Sequence, residues 1–307
     1  MIKLAKTSIA PLKLGSVRRR PTGWRALTTQ QSFRRAAQLA FAAFIAYVTF
    51  VHVSTGETSE TITASSEAYC PFGGIESIWR FVTTAGKTLP HTHLANIVLA
   101  VGFLLTAFFA RSAFCGWICP LGFLQDMTTK FSRFLQKRVP GMRKLVGVVR
   151  ERGGRLAMID QPLRGLKYAI LIWSVTGAAY YGVMVFRDYD PWAALLTITG
   201  LTFSFGLVVL IVLLVASFFV ERPWCRYACP LGAIGGLVSW ASPVYLKREG
   251  EYCKGCAVCD KACPMGIDVH KADTIKSPQC IGCLECVDVC PRHGALELKI
   301  GLPVVGK

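Results

Sequence analysis

The sequence predicts an α-helical membrane domain of four transmembrane helices, arranged as a two-fold internal repeat and followed by a C-terminal, cysteine-rich α+β module. Three observations carry that expectation. Four long apolar runs occupy residues 36–53, 94–110, 168–186 and 201–220. The string C-x3-C-P-L-G occurs twice, in FCGWICPLG at 114–122 and WCRYACPLG at 224–232. Eight of the 13 cysteines fall between Cys253 and Cys290.

The apolar runs come first in the chain and set its division. At ~1.5 Å per residue they approach the ~30 Å of a hydrocarbon core. The chain is 52% hydrophobic, with a mean hydropathy of +0.42, yet carries a formal net charge of +17. The basic residues cluster in alternate segments. The stretch before the first run holds nine Lys/Arg and no acid, and 111–167 holds twelve against three. The segment after the first run holds Arg80 and Lys87 against four Glu. Basic loops stay in the cytoplasm, which predicts a multi-pass protein of the bacterial inner membrane with both termini cytoplasmic and membrane lipid around it. The same pattern argues against a nucleic-acid partner. Expected domains are a basic cytoplasmic tail (1–34), the membrane domain (35–248) and the cysteine-rich domain (249–307). The RRRP at 18–21 is read as part of that tail, leading into a retained helix, because no small-residue cleavage site closes the following run.

Each half of the membrane domain then reads alike: helix out, outer loop, helix back, and C-x3-C-P-L-G at the cytoplasmic edge. The outer loops echo each other as AYCPFGGIESIW around Cys70 and DYDPWAALLTI around Asp190. Repeats tend to bring equivalent segments together at their interface. If the stretch stays helical, Cys115/Cys119 and Cys225/Cys229 each share a face. Four thiolates so gathered suit a cluster or zinc; dithiol redox chemistry and simple packing of small apolar side chains are the alternatives. Pro120 and Pro230 alone need only mark helix boundaries.

The last module holds the most specific signal. Cys253-x2-Cys256-x2-Cys259-x3-Cys263-Pro264 is repeated as Cys280-x2-Cys283-x2-Cys286-x3-Cys290-Pro291. Three close cysteines wrap one cubane, and the fourth, before proline, crosses to its neighbour. This predicts a bacterial-type ferredoxin module with two [4Fe–4S] clusters. One would be held by Cys253, Cys256, Cys259 and Cys290, the other by Cys280, Cys283, Cys286 and Cys263. Gly255 and Gly282 sit where the backbone passes close to sulfide. Lys254, Lys261 and Lys271 are read as a solvated face in preference to a docking patch.

On the outer side, Cys70 with His52, His91 and His93 forms a candidate copper or zinc site. A quinone pocket bounded by Trp79, Phe81, His93 and Trp192 is an equal candidate. No CxxCH, P-loop or Rossmann fingerprint appears, so haem attachment, nucleotide hydrolysis and nicotinamide binding are not indicated.

The two C-x3-C-P motifs together with the two-cluster module resemble the NapH/NosR-type membrane polyferredoxins over roughly residues 35–292. The resemblance implies that Cys115, Cys119, Cys225 and Cys229 are the family's motif cysteines. It implies an electron-transfer protein linking quinol or a cytoplasmic donor to a partner redox enzyme, expected in the periplasm. Whether the chain is itself a quinol dehydrogenase is left open. NosR-like members carry a periplasmic flavin domain before the membrane part; here a flavin or haem would come from a partner. The alternative is an assembly or metal-handling factor that supplies electrons for maturation of a metalloenzyme, with Cys70 as a contact point.

Overall fold

A computed structural model of the chain describes residues 30–55, 70–84, 94–139, 141, 146, 155–197 and 204–301. The helical part begins with α1 (Gln30–Thr55), α2 (Pro71–Thr83), α3 (Leu94–Ala110), α4 (Ala113–Trp117) and α5 (Pro120–Arg138). It continues with α6 (Arg155–Leu163), α7 (Leu166–Tyr181), α8 (Pro191–Thr197), α9 (Phe205–Phe219) and α10 (Pro230–Trp240). Proline opens α2, α5 and α10 at the first helical position, where its fixed φ fits and its missing N–H costs nothing. Cys70, Cys119 and Cys229 are the residues just before those prolines.

The packing is close where side chains are small. A Cβ on Gly74 of α2 would collide with the Asn96 carbonyl of α3, so only glycine lets these two helices touch there. The core between the helices is aromatic. Phe72, Phe186, Trp192 and Trp224 are buried with Leu210 and Leu213, and Phe186 stacks on Trp224 with centroids 6.1 Å apart.

The expectation of four transmembrane helices is corrected: among the described residues, no helix is long and apolar enough to cross a membrane. Helix lengths and the polar residues within them are what hydropathy does not register. α3 has 17 residues. The run at 168–186 is stopped at Gly182, which turns left-handed at φ +75°. Within the run at 201–220 the helix capped by Ser204, whose hydroxyl accepts the Leu207 N–H at 3.3 Å, has 15 residues. α1 is 26 residues long, but its first turns bury Gln31, Arg34 and Gln38.

The cysteine-rich module is a three-stranded antiparallel sheet with two short helices. Strand β1 (Val244–Arg248) lies between β2 (Thr274–Ile275) and β3 (Leu296–Ile300), with Leu246 opposite both Ile275 and Leu298. Helices α11 (Val258–Ala262) and α12 (Glu285–Asp288) each follow a cysteine triplet's turn. Main-chain carbonyls of this module are held by side chains from the helical part. Arg111 donates to the Val244 and Ser277 carbonyls at 3.2 and 3.0 Å, Gln31 to that of Cys283, and Trp117 to that of Gly282. A Cβ on Gly116 would meet the Ile281 carbonyl at 2.5 Å, and one on Gly236 the Pro278 carbonyl at 2.6 Å. The module is therefore seated on the helices rather than tethered to them.

Candidate functional site

The two cysteine triplets fold alike. Gly255 and Gly282 are left-handed at φ +68° and +59°, and so are Ala257 and Leu284 at +52° and +55°. Left-handed backbone is uncommon for non-glycine residues. Alternating it with ordinary geometry curls successive N–H groups inward into an anion-binding nest. A cradle of this kind fits a negatively charged sulfide cluster, and the same device occurs in both runs.

Cys253, Cys256, Cys259 and Cys290 line one cavity of about 90 Å³. This is the first expected ligand set, including the crossover cysteine. In the second set, the thiol of Cys286 lies within electrostatic reach of Cys283, Cys280 and Cys263, and also of Cys259 from the first set. Among the described residues, no group of three or more His, Cys, Asp or Glu converges as a single metal ion would need. Thiols spread around a cavity are instead the arrangement a polynuclear cluster takes, one at each corner.

A second cavity, of about 60 Å³, lies within the helical part. Cys115, Cys119, Cys225 and Cys229 all line it, with Cys280 and Gln279 from the ferredoxin module and Cys70, Asp190 and Trp192 from the opposite loops. The motif is not a continuous helix, as the shared-face argument assumed. Each copy breaks before its second cysteine, where the N–H of Cys119 donates to Phe114 and that of Cys229 to Trp224, five residues back. This wider turn sends the second cysteine into a new helix and leaves both sulfurs facing the cavity wall.

Polar groups hold the motif cysteines in place. Gln125 donates to the Cys225 sulfur at 3.7 Å, and the Gly232 N–H to the Cys229 sulfur at 3.3 Å. Arg222, fully buried, donates to the Cys115 carbonyl at 2.7 Å and pairs bidentately with Asp126. Arg34 joins the same carboxylate at 2.8 Å and also reaches the Gly116 carbonyl and Glu285. Burial raises the pKa of Asp126, but Arg222 and Arg34 outweigh it and hold the carboxyl below its usual range. Lys167 is buried on the cavity wall and donates to Gln279 at 2.9 Å; burial lowers its pKa, against the opposing pull of the Cys229, Cys225 and Cys115 thiols.

The repeat is not symmetric here. An offset of 110 residues superimposes the two motifs in sequence and pairs Ser112 with Arg222 and Asp126 with Gly236. Ser112 and Arg222 share the left-handed conformation, at φ +55° and +49°. One side of the interface between the halves thus carries the Arg222–Asp126 pair, one residue from each half, and the other side carries the small Ser112 and Gly236, where the Pro278 loop sits.

A third, outer cavity of about 40 Å³ shares Cys70, Phe72, Phe186, Asp190 and Trp192 with the central one. The Cys70 thiol donates to Asp190 at 3.9 Å, and the Asp190 carboxylate accepts the Trp192 N–H at 3.0 Å. Burial lifts Asp190 to about 6, and burial with the nearby Asp190 charge lifts Glu76 to about 8. Glu76 Oε1 and Trp192 Nε1 have no hydrogen-bond partner among the described residues. Sequence reasoning missed Glu76, Gln125, Asp126, Arg222 and Lys167. Only the Cys-Pro/Asp-Pro echo hinted that Asp190 would meet Cys70.

The outer-face expectations fare unevenly. His91 and His93 lie outside the described residues, and so does the side chain of His52. Trp79 and Phe81 of α2 are exposed and do not line the outer cavity, whereas Trp192 does.

Comparison with known proteins agrees with this chemistry. A family profile described as a 4Fe-4S binding domain matches twice, at residues 92–138 and 202–248, once over each C-x3-C-P motif. A 4Fe-4S dicluster domain matches residues 245–291. The chain is 28% identical over 222 residues to the ferredoxin-type protein NapH of Haemophilus influenzae, covering 66% of this chain and 69% of that one. An uncharacterized protein of Methanocaldococcus jannaschii is 32% identical over 201 residues, covering 65% of this chain and 76% of the relative. The chain belongs to the NapH/NosR-type polyferredoxin family. This polyferredoxin is also 29% identical over 296 residues to YccM of Escherichia coli, provisionally described as an electron transport protein, covering 92% of this chain and 79% of YccM. No solved structure matches this polyferredoxin. Membership makes it an iron–sulfur electron-transfer protein.

Proposed function

We propose that this polyferredoxin links quinol or a cytoplasmic donor to a partner redox enzyme, expected in the periplasm. Two [4Fe–4S] sites would lie in the ferredoxin module, at the ligand sets given above, and a further iron–sulfur centre at Cys115, Cys119, Cys225 and Cys229. The observation that carries this is the central cavity, whose wall joins those four cysteines to Cys280 of the ferredoxin module and to the Cys70–Asp190 pair. When bound, the clusters supply one-electron carriers whose potentials follow the charge and hydrogen bonds around them. The chain contributes those surroundings. Phe72, Phe186 and Trp224 exclude water, Lys167 sets a positive charge beside the motif thiols, and Gly232 and Gln125 direct N–H groups at two of the sulfurs.

The quinol link rests on the outer cavity. Its unpartnered Glu76 oxygen and Trp192 indole N–H suit a hydroxyl or carbonyl group; Asp190, raised to about 6, is placed to accept a proton near neutral pH, whereas Glu76, raised to about 8, holds one there. Location at the bacterial inner membrane belongs to the same proposal. It is supported by exposed apolar side chains such as Leu94, Val98 and Phe109 of α3 and Phe205 and Val212 of α9. The maturation alternative needs Cys70 as an outward contact, whereas its thiol is turned inward onto Asp190.

Two measurements test the proposal. Replacing Cys115 and Cys225 with serine should remove about four iron atoms per chain while the ferredoxin EPR signals persist. Unchanged iron content would refute the further centre. Adding menaquinol anaerobically to the protein in liposomes should reduce its iron–sulfur signals; signals reduced only by a low-potential soluble donor would remove the quinol link.

A further inference from the structure

The two cysteine sets of the ferredoxin module differ in what surrounds them. Cys280, Cys283 and Cys286 are buried, and the loop that carries the first two is clamped by Arg111, Gln31 and Trp117 of the helical part. Cys256 is the only exposed cysteine among the described residues, in a stretch where Lys254 and Gly255 are exposed too. The cavity of the first set is walled by Arg248, Lys254, His270 and Arg292, with no carboxylate. Lys261 of α11 is exposed as well, and neither it nor Lys254 forms a salt bridge among the described residues. The acids of the same stretch are largely committed. Glu249 is held by Lys247 and Lys299, Asp260 is buried against His270, and Glu251 alone is exposed.

From this we infer that the face around Cys256, with Lys254 and Lys261, is a docking surface for a small acidic one-electron carrier protein of the flavodoxin type. The inference rests on the relay reading above and gives its soluble end a place and a partner chemistry. An exposed cysteine ligand marks where the protein shell over the electron-transfer site is thinnest. Basic residues around that point raise the encounter rate with an acidic partner and orient it. Redox encounters of this kind use small interfaces that release quickly, which suits a charged rim without an apolar groove. A solvated face would show the same charges, but would not need them gathered about the one exposed cysteine. In the exchange, one electron leaves the carrier's reduced flavin, which is oxidised by one equivalent. It is taken up at the site held by Cys253, Cys256, Cys259 and Cys290, and no bond is made or broken.

The test uses the full-length holoprotein and reduced flavodoxin as the probe. Affinity is measured by calorimetry and cluster reduction by stopped flow, each at ~50 and ~200 mM salt, bracketing the range over which the Debye length shortens to within a few residues. Lys254→Glu with Lys261→Glu should weaken binding and slow reduction about tenfold at low salt, with the difference shrinking at high salt. Dithionite needs no docking, so the ratio of flavodoxin to dithionite reduction rates, taken within each protein, isolates the docking step, and iron content per chain checks that the clusters are intact. Equal affinity in wild type and double variant, or binding indifferent to salt, would overturn the inference. If flavodoxin docks and reduces the clusters but no electrons pass to or from quinone, the relay reading fails and the docking surface stands. If quinol reduces the clusters and flavodoxin does not bind, the reverse holds.

Discussion

The thiol of Cys70 donates to the carboxylate of Asp190, 120 residues away, and the two residues hold matching places in the repeat: each precedes a proline that opens a helix. The pseudo-symmetry of the helical part therefore passes between a thiol and a carboxylate, on the wall shared by the central and outer cavities. Asp190→Asn keeps the shape and removes the proton acceptor. It should slow menaquinol-driven reduction about 100-fold while leaving reduction by dithionite unchanged. Equal slowing of both would mean that the substitution damages the clusters instead.

Glu76 gives a pH dependence of defined sign. Its carboxyl is raised to about 8 in the fold from about 4.3 in an unfolded chain. Between those values the folded protein holds a proton that the unfolded chain has lost. Stability from this group is therefore lost as pH rises, at up to about 1.4 kcal/mol per unit. Glu76→Gln should raise the unfolding temperature more at pH 8 than at pH 5. An equal gain at both would show that Glu76 titrates normally.

The Arg222–Asp126–Arg34 group is a buried ion network, and removing one member strands the others. Arg222→Met should cost about 3–5 kcal/mol of stability by denaturant titration. Arg222→Lys should recover only part of it, because an ammonium cannot make the bidentate contact. Full recovery by lysine would show that charge alone matters there.

Lys167 sits beside the motif thiols. Lys167→Met should lower the midpoint potential of the centre they hold, on the order of 50–100 mV for loss of one partly screened charge. Redox titration followed by EPR measures it, and the signal assigned to the exposed first cluster should not move. A uniform shift of all signals would place Lys167 elsewhere in the electrostatics.

Gly116→Ala forces a methyl group toward the Ile281 carbonyl, 2.5 Å from where it must sit. The ferredoxin module should lift from its seat, raising limited proteolysis between Trp240 and Val244 several-fold. Proteolysis at the wild-type rate would mean that the contact is soft.

The local chemistry of the cysteines was open to reading from sequence because it depends on spacing within a few residues. The two triplets and the doubled C-x3-C-P-L-G needed no tertiary knowledge. Helix length did not read out, because the stop at Gly182 and the N-cap at Ser204 are decided by single backbone angles and caps inside otherwise apolar runs. The cavity's polar partners were hidden for a different reason. Gln125, Asp126 and Lys167 look like ordinary residues of basic surface segments, and only packing turns them inward. Glu76 sat in what reads as a polar outer loop, although the glycines before it allow a buried helix.

The unequal pairing of Ser112 and Gly236 with Arg222 and Asp126 bears on why the chain is one polypeptide. A homodimer of the first half would set Ser112 against Asp126 at both equivalent positions, and one of the second half would set Arg222 against Gly236, so neither would form the ion pair that braces the thiols. Duplication within one chain frees the copies to diverge, so that the Arg222–Asp126 side is the brace and the Ser112–Gly236 side is the socket.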